Sequence, residues 1–176
     1  MMKQLLYVVF FFSLVTVKAQ TLTFDHGEIE FYTSSVLSDI EAFTEKAEVK
    51  LDAASRDFEV KLDINSFDFE YDLMKEHFNE KYMETEKYPE ATLIGKINKD
   101  ILSISNETEF DASGQLTIHG VTRNIQFKVL ISKNDNFTLV KAKFPIVFKD
   151  YNIDEPSILT KSVAKDVLVK STLYLK

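Results

Sequence analysis

The chain contains no cysteine, no tryptophan and only four glycines in 176 residues. Without cysteine there is no disulfide, no thiol nucleophile, no thiolate metal site and no lipid attached through sulfur. Gly27, Gly95, Gly114 and Gly120 stand far apart, and none belongs to a G-x-x-x-x-G-K or G-x-G-x-x-G phosphate cradle. A G-x-S-x-G elbow and an H-E-x-x-H pair are missing too. A basic stripe is also lacking. With 21 Lys and Arg against 28 Asp and Glu, the formal charge is −7, which argues against a nucleic-acid partner. No low-complexity tract and no repeat of solenoid period occurs. What is present is 45% hydrophobic residues, including 15 Phe, so the chain is not a disordered one. Its length fits one domain with a real core.

The first residues read as an address. Lys3 gives a positive start, and residues 5–17 carry no charge. The small Ala19 follows, in the pattern of a secretory signal peptide cut after that residue. The uncharged run is shorter than the roughly 20 residues a spanning helix needs. Residues 1–19 are therefore expected to leave, with residues 20–176 forming the mature domain. Lys3 and Lys18 leave with them, so 19 Lys and Arg face 28 acids and the mature charge is −9. No stable membrane insertion is expected after cleavage, and the destination is the periplasm or the exterior.

Alternation of period two dominates the remainder. Phe58, Val60, Leu62 and Ile64 alternate with Glu59, Lys61 and Asp63, the mark of a strand with one buried face. The same rhythm recurs at Ile29–Phe31, Val49–Leu51, Leu116–Ile118, Phe127–Ile131, Phe137–Leu139 and Val167–Leu175. Turn-forming clusters are expected at Asp25-His26-Gly27, Asp52–Ser55, Asp111–Gly114 and Lys133–Asn136. Residues 34–43 read as a loop passing into a strand. Short connections favour antiparallel pairing, and about eight strands imply a sandwich or a closed barrel. No strand is a continuous apolar run, which weighs against a doubly wound parallel sheet.

One segment breaks the pattern. Tyr71, Met74, Phe78 and Tyr82 are spaced as a helical stripe, which predicts a helix near residues 71–84. Asp72 is expected to cap it, and Tyr88-Pro89 to end it.

The polar residues offer little chemistry. His77, Glu80 and Glu84 fall roughly on one helical face, where a metal or an acid–base pair is conceivable. The simpler reading is a solvated face. His119, before Gly120, fits a turn residue with local hydrogen bonds, and His26 a polar turn residue. Carboxylate pairs such as Asp68 with Asp72, or Asp154 with Glu155, show neither the separation nor the raised pKa of a glycosidase. Two glycosylation sequons, at Asn106 and Asn136, depend on a source the sequence does not give. Neither a cofactor nor a catalytic residue is expected. The Phe residues either fill a core or line a cavity, since a barrel of this size does either.

Two stretches carry a resemblance. Leu73–Glu84 leading into Lys87-Tyr88-Pro89-Glu90-Ala91-Thr92-Leu93 resembles the YceI-like family segment in which a helical insertion precedes Tyr-Pro and a strand. Gly114-Gln115-Leu116-Thr117-Ile118-His119-Gly120-Val121-Thr122-Arg123 is similar to that family's G-x-L-T-I-x-G-V-T-[KR] hallmark. The chain departs from the family pattern at Met74–Phe78, where Arg-Asp commonly precedes His-Leu, and at Leu93, where Phe is usual.

The resemblance implies an all-β, antiparallel, lipocalin-like barrel of about eight strands with one helical insertion. It also implies an exported, non-catalytic protein holding a polyisoprenoid or similar long apolar lipid. Alternation then nominates Phe31, Val60, Leu62, Phe67, Phe69, Leu116, Ile118, Phe127 and Val129 as strand-borne lining residues. Met74 and Phe78 join them from the helix near the mouth. A homodimer is compatible with this picture. The rival readings are a filled barrel serving as an envelope stress or interaction module, and an enzyme acting on an isoprenoid or quinone through His77 or His119.

Overall fold

The computed structural model of the chain describes residues 21–34, 39–104, 106–153 and 166–176. The expected leader and the Asp154–Glu155 pair lie outside these residues. The first half contributes β1 (Thr21–Ser34), β2 (Asp39–Thr44), β3 (Glu48–Asp52), β4 (Asp57–Asp63) and the two-residue β5 (Asp68–Phe69). A short helix α1 (Asp72–His77) follows and runs into a π turn at Phe78–Tyr82. The second half adds β6 (Glu90–Ile97), β7 (Thr108–Ile118), β8 (Val121–Lys133), β9 (Thr138–Val147) and β10 (Asp166–Leu175).

Every ladder is antiparallel. The order β10-β9-β8-β7-β6-β4-β3-β1 closes on itself through pairing of β1 with β10, which makes an eight-stranded barrel. β1 is long enough to serve three neighbours. One edge takes β10, from Phe24↔Leu175 to Tyr32↔Leu168. The other takes β3 at Thr21–Thr23 and then β2 at Ile29–Ser34, with β5 on the far side of β2. Alternate residues of each strand point inward, so Val49, Val60, Leu93 and Leu116 stand abreast across four strands.

Two expected turns are instead parts of strands. Asp25-His26-Gly27 is a bulge within β1, where the register to β10 shifts between Phe24 and His26. Gly27 has φ +138°, and a Cβ there would stand 2.1 Å from the Thr172 carbonyl oxygen, so only glycine fits the bulge. Asp111–Gly114 looked like a turn by composition, yet β7 passes straight through it. Ala112 is buried and in phase with Phe110 and Leu116, and Gly114 lies opposite Gly95. The turns at Asp52 and Asn134 are present. In each, the side-chain oxygen accepts two backbone N–H groups of the next residues.

The helical segment, residues 72–82 with its π turn, spans what the apolar spacing suggests, but its cap and its stop differ. Tyr71, not Asp72, is the N-cap residue and makes no side-chain cap bond. Asp72 sits in the first turn, where a negative charge suits the helix dipole. The chain leaves the helical path at Glu84, with φ +43°, well before Pro89. Among the described residues no helix is long and apolar enough to cross a membrane.

Candidate ligand-binding site

The two ends of the barrel are filled differently. At the end that holds Thr21 and Leu175, the connection after β6 folds inward and buries Ile101. Ile101 and Ile131 are 0% exposed and Leu175 is 1%, so this half is close-packed in the ordinary way. In the middle, the inward residues Val60, Leu62, Phe127 and Phe144 are only half-buried although they point to the barrel axis. They face a hollow. The cavity measures ≈ 170 Å³ and its lining is almost wholly apolar. Glu30 borders it too, but it alternates with the inward Ile29 and Phe31, and its carboxylate pairs with Lys170 at 3.7 Å.

The opposite end is roofed by aromatic rings. Phe31 meets Phe67, Phe69 and Phe78 at centroid distances of 5.1, 5.7 and 5.2 Å, and Phe69 meets Phe78 at 5.0 Å. Local polar bonds position these rings. Asp63 caps the 3₁₀ turn before Phe67 by accepting the Asn65 N–H at 2.9 Å. Ser66 and Thr44 share a hydroxyl hydrogen bond of 2.8 Å that ties this turn to β2. The Thr85 hydroxyl donates to Asn65 at 2.9 Å, fixing the chain beyond the π turn. Within the π turn the Met83 N–H donates to the Phe78 carbonyl. This wider turn lets Phe78 and Met83, five residues apart, both line the cavity.

Nine of the eleven nominated residues line this cavity: Phe31, Val60, Leu62, Phe67, Phe78, Leu116, Ile118, Phe127 and Val129. Phe69 is in the ring cluster behind Phe31 and Phe78, and Met74 is half-buried on α1. Neither belongs to the lining. Tyr71, the first residue of the apolar stripe, is exposed. Alternation missed a second group: Phe144, Ile146, Phe148 and Ile153, from β9 and the turn after it, all line the cavity. Their signal was present as Phe144 and Ile146 alternating around Pro145.

His119 is part of a tight connection, not of a site beside His77. It and Gly120 have φ of +51° and +72° between the paired Ile118 and Val121, the two-residue turn that suits a twisted hairpin. Its hydrogen bonds are long-range rather than local. Nε2 meets a Glu84 carboxylate oxygen at 2.9 Å, and Nδ1 meets the Tyr151 carbonyl at 3.3 Å. The Tyr88 ring packs edge-on against the imidazole at 4.4 Å.

Glu84 is thus turned to His119 and away from any set with His77 and Glu80. Among the described residues no cluster of three metal-capable side chains exists. The Lys75 ammonium, 2.9 Å away, holds the Asp68 carboxyl below the usual range, the opposite of a general acid. Glu28 alone among the described carboxylates is pushed up, by partial burial and the neighbouring Glu30. It alternates with the inward Ile29 and so faces away from the cavity.

Residues 15–175 match the YceI-like domain. The chain belongs to the YceI-like family. No curated protein matches it. Among solved structures it is similar to BcnA of Burkholderia cenocepacia, at 20% identity and a TM-score of 0.70, covering 84% of this chain and 95% of that one. A polyisoprenoid binding domain from Saccharophagus degradans, implicated in plant cell wall breakdown, has 16% identity and a TM-score of 0.75. That likeness covers 90% of this chain and 99% of that one. The YCEI protein of Campylobacter jejuni has 17% identity and a TM-score of 0.55, with 99% of each chain covered. These likenesses establish the shared barrel.

Proposed function

We propose that this YceI-like protein is an exported carrier that holds one long apolar chain of polyisoprenoid type inside its barrel and performs no catalysis. The observation that carries this reading is the apolar hollow between a close-packed floor and a roof of rings. The family relation lends support, because a domain of the same fold is named for polyisoprenoid binding. The lining offers apolar contact and almost no polar anchor, so it selects for length and greasiness rather than for a head group.

Magnitudes set a minimum length. Each methylene removed from water contributes about 0.8 kcal/mol, against an association cost on the order of 4–15 kcal/mol. A ten-carbon terpene, at about 8 kcal/mol, falls inside that range, whereas a chain of about twenty carbons, at about 16 kcal/mol, passes its upper end. The free cavity of ≈ 170 Å³ is smaller than the roughly 300–1,000 Å³ of ordinary ligand pockets. A long chain therefore enters as half-buried rings such as Phe58 and Phe127 turn aside. The leader at residues 1–19, cut after Ala19, would deliver the carrier to the periplasm or beyond. Its acidic surface suits neither nucleic acid nor an anionic membrane.

Solvent extraction of protein purified from its native host, followed by mass spectrometry, tests the reading. A stoichiometric prenyl lipid is expected. Recovery of none, together with failure of a fluorescent prenol to bind, refutes it.

A further inference from the structure

The routes out of the cavity differ in what must break, and the short three-pair β1–β3 contact opens none of its own, because β2, β5 and the ring cluster stand above it. The floor is blocked by Ile101, Ile131 and Leu175, which are essentially fully buried. The roof is blocked by interlocked rings and Met83, tied down through the Thr44–Ser66 and Thr85–Asn65 bonds. The third route runs through the wall between β8 and β9.

That wall is only half laced. β8 and β9 pair from Lys133↔Thr138 up to Lys128↔Lys143 and then stop. Beyond this point β9 continues along β10 from Phe144 to Val147, and β8 continues along β7 from Phe127 to Val121. No ladder joins these two stretches to each other. Pro145 lies in the unlaced part of β9, and proline has no N–H to give a ladder. The gap is covered by the next six residues, Phe148 to Ile153, which fold as a short turn against β8. Phe148 and Ile153 line the cavity, and Tyr151 and Ile153 are the buried side chains of this strap.

Two side chains of the β7–β8 hairpin hold the strap down, both by its backbone. Arg123 Nε donates to the Asp150 carbonyl at 2.9 Å, and His119 Nδ1 reaches the Tyr151 carbonyl at 3.3 Å. We propose that the apolar ligand enters and leaves sideways through the unlaced upper β8–β9 seam, when the strap 148–153 lifts, and that Arg123 and His119 are its latch. Lifting the strap breaks side-chain bonds and apolar contacts but no strand ladder. Phe127, Phe144 and Ile146 then form the sides of the passage. This inference rests on the cavity being the ligand chamber.

The test follows exchange of a dansyl-labelled twenty-carbon prenol by stopped-flow fluorescence. The latch acts in the free and the loaded barrel alike. R123A should therefore speed uptake and release together by about fivefold, with Kd nearly unchanged, as expected for one net hydrogen bond. H119Q serves as the second latch variant should R123A fold poorly. Because the chain has no cysteine, an R123C/D150C pair bridged by a short bis-maleimide pins the strap at one defined place. Bridging should slow exchange at least about tenfold, and the unbridged pair should not be slow. If the bridged protein exchanges at the unbridged rate, the passage lies elsewhere and the proposal is overturned. If wild-type protein never takes up the probe, the chamber reading itself fails, and this inference with it.

Discussion

Replacing Ala142 with leucine separates a hollow barrel from a filled one by the sign of the stability change. Ala142 is half-buried on β9, between Val129 of β8 and Ser171 of β10, and its methyl lines the cavity. Leucine adds three carbons to that face. At about 0.8 kcal/mol each they bring about 2.4 kcal/mol of transfer, less about 0.5–1 kcal/mol of side-chain entropy. A net gain of about 1.5 kcal/mol is expected. The available void sets the ceiling: ≈ 170 Å³ at about 24 cal/mol per Å³ corresponds to about 4 kcal/mol forfeited by the empty interior. For a chain of this size the gain raises Tm by about 3–6 °C. It should appear in calorimetry and in urea unfolding of delipidated protein, with the m-value unchanged. Affinity for a prenol probe should fall in the same variant. In a filled barrel the same leucine overpacks and costs about 1–3 kcal/mol. A drop in Tm with undiminished probe binding would refute the reasoning.

Other expectations follow from single positions. Phe78→Ala removes a ring that meets Phe31, Phe67 and Phe69 at 5.2, 6.0 and 5.0 Å. Urea unfolding should show a loss of about 3 kcal/mol. Gly120→Ala places a Cβ 2.7 Å from the Tyr88 ring at φ +72°, and should cost about 1–2 kcal/mol by the same measurement. Burial pushes the Tyr151 phenol above its ordinary 10.0. The unfolded chain therefore loses this proton first as pH rises, and the stabilisation, complete below about pH 10, is lost above it. Stability measured from pH 8 to 11 should fall more steeply for wild type than for Tyr151→Phe.

What the sequence discloses and what it hides follow from the range of each signal. Alternation is a local property, so Val60, Leu116 and Phe127 were assigned to the inner face from their own neighbours alone. Closure of β1 on β10 is not local, and nothing near Phe24 or Leu175 announces it. Composition misled where a small residue kept the strand phase. Ala112 and Gly114 resemble a turn by type, but they occupy inward positions between Phe110 and Leu116. Spacing places the helix but not its stop signal, because a left-handed Glu84 held by a long-range partner, His119, ends it and not Tyr88-Pro89. Phe69 and Met74 have the right periodicity but lie on the far side of the ring cluster's Phe31 and Phe78 and on α1, and the spacing carries no information about depth.

Hollowness was the least legible property, because identical alternation describes Ile131, which is sealed, and Phe127, which faces the void. The difference arises from what comes to meet each of them. Ile101, from an irregular connection, plugs one half of the barrel, whereas among the described residues nothing equivalent fills the other. An unfilled interior worth about 4 kcal/mol is a large share of the roughly 5–15 kcal/mol by which a domain is stable. A chain without disulfides can bear that loss only if the rest of the wall is well laced. The ladders are continuous over most of the wall and thin out at two places, the three-pair β1–β3 contact at Thr21–Thr23 and the upper β8–β9 seam. Above the first, β2, β5 and the ring cluster of the roof back the wall, whereas among the described residues the strap 148–153 backs the second, which is why the passage falls there.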